Sequence, residues 1–149
     1  MAKRRKTSID GFETYPGNPG NFISLYFKMI DSLAWQQLTA RDIQLYIMLR
    51  RKYQRKVVKG KVEQSNKNDI SMPKSEYLKV MNQRMFEKSI DHLIELGFVY
   101  LVENNYAERK CNIYGLSDYW TLYGKPEFNV KPEHRRTLKQ RIEAEENES

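Results

Sequence analysis

Gly97 constrains this chain more than any other single residue. Before it, QRMFEKSIDHLIEL reads as one amphipathic helix. At 100° per residue, Met85, Phe86, Ser89, Ile90, Leu93 and Leu96 share a broad face. Gln83, Arg84, Glu87, Lys88, Asp91 and Glu95 take the opposite one. Asn82 is a plausible N-cap, and Gly97 fits the left-handed residue that ends many helices. Directly behind it, FVYLV is rich in strand formers. Asn104 and Asn105 open a polar tip, Arg109 and Lys110 close it, and CNIYGL returns. The chain must therefore pass from helix to two-stranded ribbon with almost no linker.

Upstream elements fit the same frame. Residues 73–80 predict a short helix with Pro73 at its first position, apolar at Tyr77 and Leu78. Residues 70–72 predict a short strand that joins the ribbon as a third member. Thr39-Ala40-Arg41-Asp42 has the capping-box pattern, opening ARDIQLYIMLRRKYQRK, a helix of about four turns. Its wide apolar belt, from Ile43 to Tyr53, predicts a central, well-covered helix. A shorter helix, LAWQQL, carries Trp35 as a packing anchor, and FISLYFKMI before it reads as extended or irregular. Val57, Val58 and Val62 flank Lys59-Gly60 in the manner of a small hairpin. Tyr119, Trp120 and Tyr123 are expected to seal the edge of the core.

Charge is the second constraint. RRKYQRKVVKGK holds Arg50, Arg51, Lys52, Arg55, Lys56, Lys59 and Lys61 and no acid. Cations suit the carbonyl end of a helix, but seven without a compensating acid go beyond capping and favour contact with a polyanion. Lys3, Arg4, Arg5 and Lys6 form a second basic cluster on an arm over residues 1–21, ended by the helix-breaking PGNPG. A solvated terminus is the competing reading of that arm. The net charge of +7 and a pI near 9.4 agree with a nucleic-acid partner without identifying one. Residues 125–149 read as a linker, KPEFNVKP, followed by a tail that is basic first and acidic last.

Other chemistries lack their residues. Cys111 is the sole cysteine, which rules out an intramolecular disulfide and a cysteine metal cage. His92 and His134 stand far apart with no evident nucleophile, and no phosphate-cradling glycine loop or zinc spacing occurs. No apolar run approaches the roughly 18 residues of a spanning helix. The expectation is a cytoplasmic protein that is not an enzyme and takes no cofactor, metal or membrane.

Together, SLAWQQLTARDIQLYIMLRRKY, DISMPKSEYLKVMNQRMFEKSIDHLIELGFVYLVEN and LSDYWTLYG resemble small winged helix-turn-helix proteins of bacterial mobile elements and prophages. Some of those belong with replication initiators or replisome organisers. The resemblance spans residues 22–124 and implies an α+β winged-helix domain: a three-helix core, an extra short N-terminal helix and a small antiparallel sheet with a wing. By position, Gln83, Arg84, Glu87 and Lys88 match the recognition helix, and residues 104–110 match the wing. Two departures stand out: the acids Glu87 and Asp91 on the recognition face, and the very basic segment before it.

The function expected is binding of double-stranded DNA in replication or transfer of a plasmid, phage or integrative element. Phosphate contacts would come from the basic segment, the arm, and the wing residues Asn104, Asn105, Arg109 and Lys110. Base discrimination would come from Gln83, Arg84 and Lys88, with Glu87 accepting from a cytosine amine or paired with a neighbouring cation. One alternative is a transcriptional repressor, acting as a homodimer on an inverted repeat. Another is a winged-helix protein-interaction module whose acidic face docks a partner. Other replication or transfer proteins are expected to engage the tail.

Overall fold

Side-chain caps from Ser32, Thr39 and Asn82 open three of the helices. The computed structural model describes residues 22–148. Helix α1 is Phe27–Ile30 and α2 is Leu33–Gln36, the latter capped by Ser32, whose hydroxyl accepts from the Trp35 amide. Helix α3, Ala40–Arg51, opens on a complete capping box between Thr39 and Asp42. Strands β1, Arg55–Val58, and β2, Lys61–Ser65, form an antiparallel hairpin. Helix α4 is Lys74–Tyr77, and α5, Gln83–Glu95, is capped by Asn82, whose side chain accepts from the Met85 amide at 2.8 Å. Strands β3, Val99–Glu103, and β4, Ile113–Leu116, make the second antiparallel pair. Short 3₁₀ turns at Tyr119–Leu122 and Pro132–His134 precede α6, Leu138–Glu148. The chain is of the α+β class, mixing helices with two small antiparallel sheets.

Gly97 sits at φ +88°, in the left-handed region where its missing Cβ removes the steric penalty. It serves a second purpose. A Cβ there would lie 2.7 Å from the Trp120 amide nitrogen and 2.9 Å from the Tyr119 carbonyl carbon. The helix end is thus pressed against the 3₁₀ turn, whose Trp120 amide donates to the Gly97 carbonyl.

One core gathers α1 to α5 and the β3–β4 pair. Phe98 is fully buried and meets Trp35 and Tyr46 edge-on, with Trp120 stacked against it. Burying such a ring contributes about 2–3 kcal/mol. Helices α3 and α5 pack through Leu45, Leu49, Ile90 and Leu93, all fully buried. Asp42, only 2% exposed, points from the first turn of α3 to His92 of α5. Tyr77 stacks on Phe86 at 4.1 Å, fixing α4 against the start of α5.

Several expectations change. Residues 27–30 are a helical turn instead of extended chain. Helix α3 stops after three turns, because the backbone leaves it at Lys52 to enter β1. Its belt is covered on one side only, leaving Ile47 exposed beside a shallow groove lined by Ile43, Gln44 and Met48. Helix α4 is a single turn, with Pro73 at its N-cap. The strand expected at residues 70–72 contracts to one bridge, in which Ile70 and Tyr114 exchange both backbone hydrogen bonds. On α5, Met85 is exposed and Ile94 buried, so the apolar face is turned slightly from the expected one. The KPEFNVKP stretch is packed on the body. Val130 is buried, and Phe128 stacks near Tyr119 and meets Tyr123 edge-on.

Candidate nucleic-acid interface

Helix α5 turns Phe86, Ser89, Ile90, Leu93 and Ile94 inward, so its outward crest runs through Arg84, Lys88, Asp91 and Glu95. The crest divides along its length. The N-terminal half presents Gln83, Arg84 and Lys88, all exposed, and the C-terminal half is acidic. Gln83 donates to Glu87 at 3.2 Å, while Arg84 and Lys88 make no ion pair among the described residues.

The acids are paired, and by residues that sequence reasoning did not single out. Arg136 lies across α5 and donates to Asp91 through Nε at 2.7 Å and through Nη2 at 3.3 Å. Its Nη1 is 3.9 Å from Glu87, and Arg135 is 3.9 Å from Glu95. Burial works against the Arg136 charge, but the Asp91 hydrogen bonds, with Asp91, Glu87 and Tyr114 nearby, hold its pKa above the ordinary value. The Arg136 carbonyl accepts from Asn104 at 3.1 Å, and His134 tilts against Tyr100 of β3. Residues 128–136 thus bind the acidic half of α5 to the base of the β3–β4 ribbon. The only sequence signal was the Arg135-Arg136 doublet in a mostly basic tail.

The basic segment separates into two groups. Arg50 turns back on the fold: it donates to the Ser24 carbonyl at 2.8 Å and the Tyr46 hydroxyl at 3.3 Å, beside the Tyr53 ring. Lys52 donates to the Ser71 carbonyl at 2.7 Å and pairs with Glu76 at 2.5 Å. These two cations hold the α3 end to its surroundings. Arg51, Arg55, Lys56, Lys59 and Lys61 are exposed. Four of those lie on or between β1 and β2, whose residues are all exposed, so the hairpin stands away from the core. Its turn places Lys59 at φ 52° and Gly60 at φ 78°, the two left-handed residues of a tight hairpin turn. Register pairs Val57 with Val62 and Val58 with Lys61, and Lys56 with Gln64. Lys56, Val58, Lys61 and Gln64 therefore share a face, with Lys59 at the tip. Asn66 closes the base, accepting from the Gln54 amide and donating to the Lys52 carbonyl, both at 2.7 Å.

The loop between β3 and β4 divides similarly. Asn104 donates to the Arg136 carbonyl and accepts from the Tyr106 amide, while Asn105 donates its side-chain amide to the Cys111 carbonyl and its backbone amide to the Asn112 side-chain oxygen. Both asparagines shape the loop. Arg109, in the left-handed region at φ 57°, and Lys110 project into solvent with Tyr106, which is 86% exposed. Glu103 and Glu108 are exposed there too. Arm residues Lys3, Arg4, Arg5 and Lys6 lie outside the described residues.

The described surface therefore offers one exposed basic hairpin, a loop of mixed charge that carries Arg109 and Lys110, and a helix N-terminal half bearing Gln83, Arg84 and Lys88. Among the described residues no His, Cys, Asp and Glu group could hold a metal ion, and no helix is long and apolar enough to cross a membrane. No family model, curated protein or solved structure matches the chain.

Proposed function

We propose that the chain is a winged-helix protein that binds double-stranded DNA, acting in replication or transfer of a plasmid, phage or integrative element. The observation that carries this reading is the sorting of charge. Cations without a fold role, Arg55, Lys56, Lys59 and Lys61, cluster on the exposed β1–β2 hairpin, and Arg109 and Lys110 stand on the exposed loop between β3 and β4. The acids of α5 are paired with Arg135 and Arg136. Phosphate contact needs mobile, solvent-facing cations, and base reading needs a helix end carrying Arg, Gln or Lys. In this reading α5 is the recognition helix, the β3–β4 loop the wing, and the β1–β2 hairpin a second phosphate-contacting ribbon. Ile70 supplies the third strand position of the small sheet.

The element-replication role rests on the sequence resemblance alone; repression of the same element is the alternative on the same DNA-binding surface. Footprinting across the surrounding genetic element separates them: protection of iterated repeats supports replication, and protection of a promoter operator supports repression. A protein-docking role for the acidic helix face is disfavoured, because Asp91 and Glu87 are already engaged within the chain. Duplex binding with a steep salt dependence tests the reading, and its absence would end it.

A further inference from the structure

We propose that Arg136 is a positioning residue for DNA: by pairing with Asp91 and Glu87 it removes the negative field that α5 would otherwise turn toward a phosphate backbone. The inference rests on the duplex-binding reading above and deepens it.

Glu87, Asp91 and Glu95 follow one another at four-residue spacing, which sets them in a row about 6 Å apart along the helix. Such a row repels itself and any approaching phosphate. On the bare outward face, Arg84 and Lys88 face three acids and the balance is negative. Arg135 and Arg136 reverse that sign.

The geometry suits this task. Arg136 comes from 45 positions beyond Asp91 and meets it with two nitrogens, a planar fork on a carboxylate. Its backbone carbonyl is held by Asn104 at the foot of the β3–β4 loop. One residue thus touches both parts of the proposed DNA surface while Arg84 and Lys88 stay outward. A simple clip for the chain end would need the contact and not the charge balance, so the two roles give different results.

The test uses the full-length chain and a fluorescently labelled mixed-sequence duplex, followed by anisotropy at several salt concentrations. Arg136→Gln weakens binding roughly three- to thirtyfold at low salt, as expected for uncompensated charges near phosphates at a solvated surface. The deficit narrows as salt rises, because screening removes the repulsion. Adding Glu87→Gln and Asp91→Asn to Arg136→Gln restores binding to within about twofold, although the contact is still missing. Arg136→Lys keeps most of the affinity. The proposal is overturned if the triple variant stays as weak as Arg136→Gln, or if folded Arg136→Gln binds like the wild type. Should Arg136→Gln fail to fold, Glu87→Gln/Asp91→Asn with Arg136 intact is the deciding variant. Binding at least as tight as wild type supports the proposal, and weaker binding overturns it. Absence of duplex binding by the wild type is a separate result: it defeats the DNA-binding reading and this inference with it.

Discussion

His92 of α5 places Nδ1 2.5 Å from the Asp42 carboxylate of α3, and the same Asp42 oxygen accepts from the Thr39 amide at 2.9 Å. One nearly buried carboxylate therefore caps one helix and ties it to the next. This joint fixes the angle at which α5 presents Gln83, Arg84 and Lys88.

Asp42→Ala is expected to destabilise the protein by about 2–4 kcal/mol, combining a lost cap with an unpaired partner. His92→Ala leaves the cap and should cost less, about 1–3 kcal/mol. Urea denaturation of both variants checks the order. Equal losses would mean that the capping bond contributes nothing.

Gly97→Ala should lower stability by about 2 kcal/mol or more, since the residue combines φ +88° with backbone atoms closer than 3 Å to any added Cβ. Gly60→Ala has the φ penalty without the crowding and should cost about 1 kcal/mol. Comparing their melting temperatures separates strain from collision.

Alkaline pH should unfold the protein through buried tyrosine. Burial chiefly pushes the Tyr114 hydroxyl up to about 12, against the opposing pull of the Asn112 hydrogen bond and the Arg136 charge. The native state keeps this proton where the unfolded state releases it. Its stabilising effect is thus complete below pH 10 and fades as pH rises toward 12. Tyr114→Phe should flatten the fall in unfolding free energy over that window. An unchanged slope would place the alkaline sensitivity elsewhere, with Tyr46, whose pKa is raised by burial, the next group to test.

Arg84→Ala should reduce discrimination between a cognate and a scrambled duplex by about 1–3 kcal/mol, with little loss of fold stability. Competition binding measures this. Uniform weakening on every sequence would make Arg84 a phosphate contact instead.

Local chemistry explains what was legible beforehand. Asn82 and Gly97 bracket α5, the Thr39–Asp42 box opens α3, and Lys59-Gly60 turns the first hairpin. Each is decided within a few residues, so each left a mark in the sequence. Contacts made across the fold left none. Arg50 and Lys52 read as members of a cationic run, yet distant carbonyls at Ser24 and Ser71 take them out of it. Asn104 and Asn105 read as wing contacts, and nothing in their local sequence showed the bonds by which they also shape the loop. The acids of α5 looked obstructive because Arg136, 45 positions beyond Asp91, has no periodic signal linking it to them. The winged-helix and DNA readings still rest on resemblance and charge placement.

The measurement closest to the central claim is duplex binding by the wild type and by Lys56→Glu/Lys59→Glu/Lys61→Glu across a salt series. On fragments of the surrounding element, log Kobs of the wild type should fall linearly with log salt. The triple variant should bind more weakly, with a slope shallower by about 2–3, at unchanged thermal stability. Identical slopes for the two proteins, or no duplex binding by the wild type at low salt, would contradict the account.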